Sequence, residues 1–344
     1  MNRSSIEVRT QRGFGTFLAT ATGAVALCAA LPAQFFADTV VAHQSNAQAG
    51  GGIFQPGNAL GAPAGGSDVH SLGIQGSLTL GFSNAITNGP GADLIVHENP
   101  FRSTSNLGNT FAEVCFVEVS TDGVHFARFP SRYYGPMQSP GPFSFVPVGS
   151  YSGLAGVTPS FVNDPTVDPR DLVEAGGDAF DLNDLASDPL VVQGLVVLDL
   201  IHQVRLVDVL DGIDVDSTGT PIQDPGSGSA DIDAVTAIHQ IQTLTLDNPT
   251  VDLQIQNDGT MTLRIEDPNG RGDLDPLSLR AALFGLPVDA GGLLATFTLQ
   301  SVDATGYTLV QPVPLPQSMR FSLAFSIRDL AGHHSGSTRT RPTP

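Results

Sequence analysis

Short apolar runs bounded by Gly, Pro, Asn or Asp recur along the first two thirds of the chain. They cover Ser77 to Phe82, Ala92 to His97, Ala112 to Ser120, Val124 to Phe129, Leu195 to Leu200, Gln203 to Val209 and Asp233 to Ile241. Runs of this length with this punctuation predict strands. Val114-Cys115-Phe116-Val117 and Val204 to Leu210 are apolar at nearly every position, which suits central strands covered on both faces. Ser120-Thr121-Asp122-Gly123 joins two of the runs, and Asp-Gly between β-rich segments predicts a hairpin because Gly takes a positive φ without steric cost. Between Phe129 and Asp188 the pattern breaks into a long region dense in Pro, Gly, Ser and Asp, and a loop that long is usually functional or mobile.

After Thr245 the texture becomes two-residue alternation. Val251, Leu253 and Ile255 share one face with Asp252, Gln254 and Gln256 opposite, Asn257-Asp258-Gly259 turns, and Met261, Leu263 and Ile265 return. Leu293, Ala295, Phe297 and Leu299 repeat the alternation, as do Phe321, Leu323, Phe325 and Ile327. No 15-residue stretch of the chain after the N-terminal segment shows a sustained helical stripe. The predicted fold is all-β: a jelly-roll sandwich with long acidic loops over residues 65–242, then a small immunoglobulin-like sandwich over 245–331. Residues 38–64, poor in large apolar side chains, read as a leader strand or a flexible entry segment, and 332–344 as a disordered tail.

The N-terminus changes the compartment. Arg3, Arg9 and Arg12 precede an uncharged stretch from Gly13 to Phe36 that includes Phe14, Phe17, Leu18, Val25, Leu27 and Leu31. That order predicts a secretory signal over residues 1–37, and hence a secreted, extracytoplasmic or cell-surface protein. Gly15, Thr16, Thr20, Thr22 and Gly23 dilute the stretch below the roughly 20 predominantly apolar residues of a membrane span. The cleavage point stays open among Ala33, Ala37 and Ala47-Gln48-Ala49. Removing the signal leaves Cys115 as the one cysteine, so stability rests on packing or bound ions.

Charge narrows the partners. Acids number 34 against 15 bases for a net charge of −19, every base is Arg, and Asp outnumbers Glu 28 to 6. An acidic surface argues against nucleic acid and anionic membranes. Asp belongs in turns and cation-binding loops rather than on helix faces. The Asp density peaks between Asp164 and Asp233, where Asp208, Asp211, Asp214, Asp216, Asp224, Asp231 and Asp233 stand as candidate ligands of calcium, which takes six to eight oxygens with tolerant geometry. The spacing is not that of an EF-hand loop, and Asp residues that cap turns would give the same composition. His97, His125, His202 and His239 lack zinc spacing and read as structural, and His333-His334 as solvated. No His-Glu-x-x-His, Gly-x-Ser-x-Gly or phosphate-cradling Gly-Lys-Ser/Thr pattern occurs.

Gly91-Ala92-Asp93-Leu94-Ile95-Val96-His97-Glu98-Asn99-Pro100-Phe101, AEVCFVEVSTDGVHFARF from Ala112 to Phe129, VRLVDV from Val204, GTPIQDP from Gly219 and DIDAV from Asp231 occur in this order. Together they resemble a group of secreted bacterial cell-surface proteins. The strand and hairpin series also resembles the galactose-binding-like jelly roll of discoidin-type domains, which implies binding at loops on one end of a sandwich. On that resemblance Tyr133 and Tyr134 are candidate ligand-binding residues, with Tyr151 in the same loop region, while Glu98, at a strand end beside a polar turn, reads either as ligand-facing or as bonding the backbone amides of that turn. The C-terminal part resembles bacterial immunoglobulin-like or cadherin-like modules, whose closing strand runs into Asp-x-x-Gly, as at Asp329 to Gly332. The leading expectation is a non-enzymatic binding protein with a structural calcium site and a glycan or surface protein as ligand. The alternatives are a carboxylate-dependent polysaccharide hydrolase and a structural envelope component.

Overall fold

The structure is a computed structural model that describes residues 35–341 apart from 46–52, 139–140, 163–165, 226–227, 242–247, 257 and 316–320. The predicted signal up to residue 34, the alternative cleavage point at Ala47 to Ala49, Asp164, Asn257 and the link between the two sandwiches lie outside the described residues. The chain is all-β, with strands in several antiparallel sheets and two short helices.

The N-terminal sandwich is built around Ile201–Asp208. In the five-stranded sheet Thr39–Gln44, Ser77–Ile86, Ile201–Asp208, Cys115–Ser120 and Ala127–Arg128 are neighbours in that order. Val204 pairs with Leu80 on one side and Val119 on the other, and Leu206 with Leu78 and Val117. All six side chains are inaccessible to solvent, so the row that alternation puts on one face forms one wall of the core. The facing four-stranded sheet runs Asp178–Phe180, Leu94–Glu98, Asp231–Ala237, His70–Ser71. It supplies Leu94, Val96, Phe180, Ile232 and Val235 to the same core. On the outer face Glu118 pairs with both Arg128 and Arg205, whose guanidinium groups lie over Phe116 and Phe126.

Several expectations are corrected. Of the two readings of residues 38–64, the described part follows the leader strand rather than the flexible entry: Thr39–Gln44 pairs with Ser77–Ile86, and Phe36 and Ala37 just before it and Ala59 after it are buried. Leu195 to Leu200 forms no strand, because Asp188 caps the helix Pro189–Val192 and the amides of Leu195 and Val196 both fold back onto the Leu190 carbonyl. Leu293 belongs to the helix Ala290–Leu294, started by Asp289 accepting the amides of Gly291 and Gly292, and the strand begins later, at Thr298. Within the predicted disordered tail, His334–Arg341 is a strand paired along its length with Phe321–Asp329, and His334 is buried rather than solvated.

The C-terminal sandwich has sheets ordered Thr250–Ile255, Met261–Glu266, Gly306–Gln311, Thr298–Val302 and Leu286–Val288, Leu274–Leu283, Phe321–Asp329, His334–Arg341. Leu253, Leu263, Leu309, Leu323 and Phe325 fill its core. A third apolar cluster joins the two sandwiches, with Ala92, Ile95, Leu172, Val173 and Ile238 against Ala282 and Ala324. Polar ties frame it: Arg280 to Glu174 at 2.8 Å, Ser326 Oγ donating to Asp171, and His334 on Asp168. Contact there is close enough that a Cβ on Gly336 would lie 2.2 Å from Leu172 Cδ2.

Candidate metal centres

Five carboxylates from five separate segments lie near enough at the strand ends of the N-terminal sandwich to feel one another's charge. Among the described residues, only a group in the C-terminal sandwich brings three acid oxygens within 4.8 Å of one another. Glu98 ends its strand and Asp231 begins the neighbouring one, so the Asp231 amide donates to Glu98 Oε1 at 2.9 Å. Asp208 ends Ile201–Asp208 opposite Cys115, two residues beyond Glu113. Asp224 arrives from the loop and accepts the Val114 amide at 3.2 Å, while Asp208 accepts the Gln75 amide at 3.0 Å and Asp231 accepts the Ser71 hydroxyl. One sheet thus contributes Glu98 and Asp231, the other Asp208, with Glu113 leading into its Cys115 strand.

Burial disfavours the charged form of all five carboxylates, and for Glu98, Glu113 and Asp224 the neighbouring acids add to it. Burial pushes the Glu98 carboxyl well above its ordinary range, and Glu113 and Asp231 add to the rise. Glu113 is raised to about 7 by burial and by Asp231 and Asp208, and Asp208 to about 7 by burial with Asp214 adding. Asp224 is pushed up by burial and then by Asp208, Glu113 and Asp211, and burial raises Asp231 as well. Every arginine ion pair among the described residues lies elsewhere. His70, which acts on Asp231, is itself pushed down by burial toward its neutral form. Glu98 Oε2 is buried with no hydrogen-bond partner. Buried oxygens of like charge held together are stabilised by protons or by a cation, and an oxygen-only donor set suits calcium.

Of the seven Asp residues expected to bind metal, Asp208, Asp224 and Asp231 belong to this group. Asp211 stands beside it, accepting the Asp224 amide at 2.8 Å. The other three are spent on backbone. Asp214 accepts the Leu210 amide. Asp216 accepts the amides of Tyr133, Thr218 and Thr220, and Asp233 those of Ala64 and Gly65. These are the turn-capping roles that Asp composition also predicts. Glu113 escapes a reading by composition because its segment looks like plain strand, although it opens the Ala112-Glu113-Val114 part of the resemblance.

The expected ligand-binding residues fare differently. Glu98 faces the acid group rather than solvent. Tyr133 is buried, packed on Tyr151 with ring centroids 5.4 Å apart and its hydroxyl donating to the Pro136 carbonyl, so it offers no stacking face. Tyr134 is half-buried. Exposed aromatic surface lies instead at Phe101, Phe143 and Phe145, grouped around Phe111, with Phe101 stacked on Phe111 at 4.9 Å.

A second carboxylate group lies in the C-terminal sandwich. Asp267, Asp273 and Asp329 each bring a carboxylate oxygen within 4.8 Å of the others. Asp267 and Asp273 bracket the turn Asp267-Pro268-Asn269-Gly270-Arg271-Gly272-Asp273, where Asn269 donates its amide to Asp267 and its side chain to Asp273. Asp329 closes the facing strand and takes the His333 amide and ring. Alternating Asp and Asn positions in this turn were the available signal, outside the stretch where Asp density is highest.

No family model matches the chain, and no curated protein is significantly similar to it. Among the described residues, no helix is long and apolar enough to cross a membrane.

Proposed function

We propose that the chain is an extracytoplasmic, non-enzymatic binding or surface protein whose N-terminal sandwich takes up calcium in the group formed by Glu98, Glu113, Asp208, Asp224 and Asp231. The observation that carries this reading is Glu98 Oε2, a buried carboxylate oxygen without a partner, among acids that raise one another's pKa. A divalent ion there would join the ends of both sheets, replacing the disulfides that a chain with one described cysteine lacks. Asp267, Asp273 and Asp329 offer the same donor chemistry to the second sandwich, at the turn and strand end that its sheets share.

Export is supported by the charge and apolar order of the N-terminus, and burial of Phe35, Phe36 and Ala37 favours cleavage ahead of Phe35. Glu98 is 2% exposed, which suits an ion ligand better than an acid that must reach a polysaccharide.

The test is thermal unfolding of the exported chain with millimolar calcium and again with excess chelator. A ligand that binds only the folded state adds about 2.7 kcal/mol of stability at 100 times its dissociation constant and so raises the melting temperature. Glu98→Gln should remove most of the calcium-dependent rise. An unchanged melting temperature in wild type sinks the reading.

A further inference from the structure

Where the two sandwiches meet, a cleft of about 460 Å³ is walled by Phe129, Tyr151 and Asp178 on one side and by Ala282, Phe284 and Ala324 on the other. Its volume is in the range of small-ligand sites, roughly 300–1,000 Å³. Two arginines, Arg102 and Arg339, line it.

Among the described residues neither arginine is in a direct ion pair, a state they share with Arg132 and Arg271, which do not line the cleft. In this acid-rich chain Arg128, Arg170, Arg205, Arg264, Arg280 and Arg328 each hold a carboxylate. Among the described residues Arg102 and Arg339 do not, although the charge of Arg339 is felt at Asp184. Arg102 is fixed across the junction, with Nη1 donating to the Val157 carbonyl at 3.2 Å and Nη2 to the Phe284 carbonyl. Its Nε is buried and has no partner, a donor left wanting an acceptor. Burial lowers its pKa to about 10 against the pull of Asp178. Asp178 does not supply the missing bond, because its oxygens accept the amides of Gly156, Val157 and Thr158.

We propose that this cleft binds a small polyhydroxylated carboxylate, a uronic acid of one or two sugar rings, with its carboxylate on Arg102 Nε and Arg339 and its hydroxyls on Thr158, Ser322 and Asp184. A guanidinium fork fits a carboxylate in two parallel bonds. A neutral sugar could offer Arg102 Nε only a hydroxyl oxygen, without the charge and the two parallel acceptors that a carboxylate brings to a guanidinium. Phosphate, with more charge and few donors, would meet Asp178 and Asp184 in the same cleft, whereas ring hydroxyls donate to such oxygens. The proposal rests on the binding reading above but shares no residue with the five-carboxylate group, so the calcium experiment and this one fail separately.

The test is calorimetric titration of the full chain with digalacturonate, with a neutral disaccharide of equal size, and with inorganic phosphate. Digalacturonate should bind saturably, and the neutral sugar and phosphate at least about tenfold more weakly. Arg339→Gln changes an exposed side chain, so it should keep the melting temperature while weakening digalacturonate about tenfold. Arg102→Gln cuts the tie to Phe284 and serves only if its melting temperature is retained. The proposal is overturned by no binding at about 10 mM, by equal affinity for the neutral sugar or phosphate, or by unchanged affinity in Arg339→Gln.

Discussion

Replacing Glu113 by Gln should stabilise the protein when calcium is withheld and handicap it when calcium is supplied. Burial and the charges of Asp231 and Asp208 raise Glu113 from 4.5 to about 7 in the fold. An acid whose folded pKa lies above its unfolded one keeps its proton longer in the folded chain, so stability falls as pH rises from about 4.5 through about 7. At about 1.4 kcal/mol per pH unit, the displacement costs the ion-free fold roughly 3 kcal/mol by pH 8. Glu113 is half-buried and the site relaxes, so about 1–2 kcal/mol is the working figure. With chelator at pH 8, Glu113→Gln should therefore melt several degrees above wild type, at roughly 2–4 °C per kcal/mol for a chain of this size. At pH 5, where the folded Glu113 is already protonated, most of that advantage should vanish. With saturating calcium at pH 8 the order should reverse, because wild type keeps an anionic ligand that Gln lacks. Melting curves across pH 5 to 8, with chelator and with calcium, check all three outcomes. A variant that loses the same stability under every condition would show that Glu113 merely packs, and the electrostatic reasoning would be wrong.

Asp273→Asn should halve or abolish any calcium-dependent protection of the C-terminal sandwich from proteolysis while leaving that of the N-terminal sandwich intact; equal loss in both would refute separate ion sites. A chain that begins at Asp38 lacks Phe36, which is 1% exposed, and should be about 3–5 kcal/mol less stable to guanidinium than one that begins at Phe35. Gly336→Ala, whose methyl would meet the Leu172 side chain, should cost about 1–3 kcal/mol and show as a lower melting temperature. Tyr133→Phe removes the hydroxyl that donates to the Pro136 carbonyl and should cost about 1 kcal/mol with no change in any ligand titration.

What the sequence made legible follows from how local each signal is. Alternation at Val251 to Ile265 and apolar runs at Val114 to Val117 and Val204 to Leu210 are properties of neighbouring residues, and the sheets form there. Val40 and Phe36 sit in a stretch whose average polarity is high, yet strand pairing with Leu80 and bridging to Thr236 order it, because partners far along the chain supply the hydrogen bonds. The tail strand His334–Arg341 carries almost no hydrophobic pattern, and its order comes from a complete ladder with Phe321–Asp329.

The acidic residues show the same limit from the other side. Composition marks where Asp is dense but not where each carboxylate points. Asp216 and Asp214, close together in sequence, fold onto backbone amides of their own loop and of Tyr133, so the densest part of the run is used up by turns. Glu98 and Glu113 stand outside that run and are brought to Asp208, Asp224 and Asp231 by strand ends. The five short motifs whose order carries the resemblance contribute one carboxylate each: Glu98, Glu113, Asp208, Asp224 and Asp231. Strand and turn geometry alone would need apolar residues and glycines at those motifs, and would be better served by neutral side chains than by acids that raise one another's pKa. A bound cation would make the same five residues mutually favourable, and on that proposal the spacing of the motifs, rather than the density of Asp, is the informative pattern.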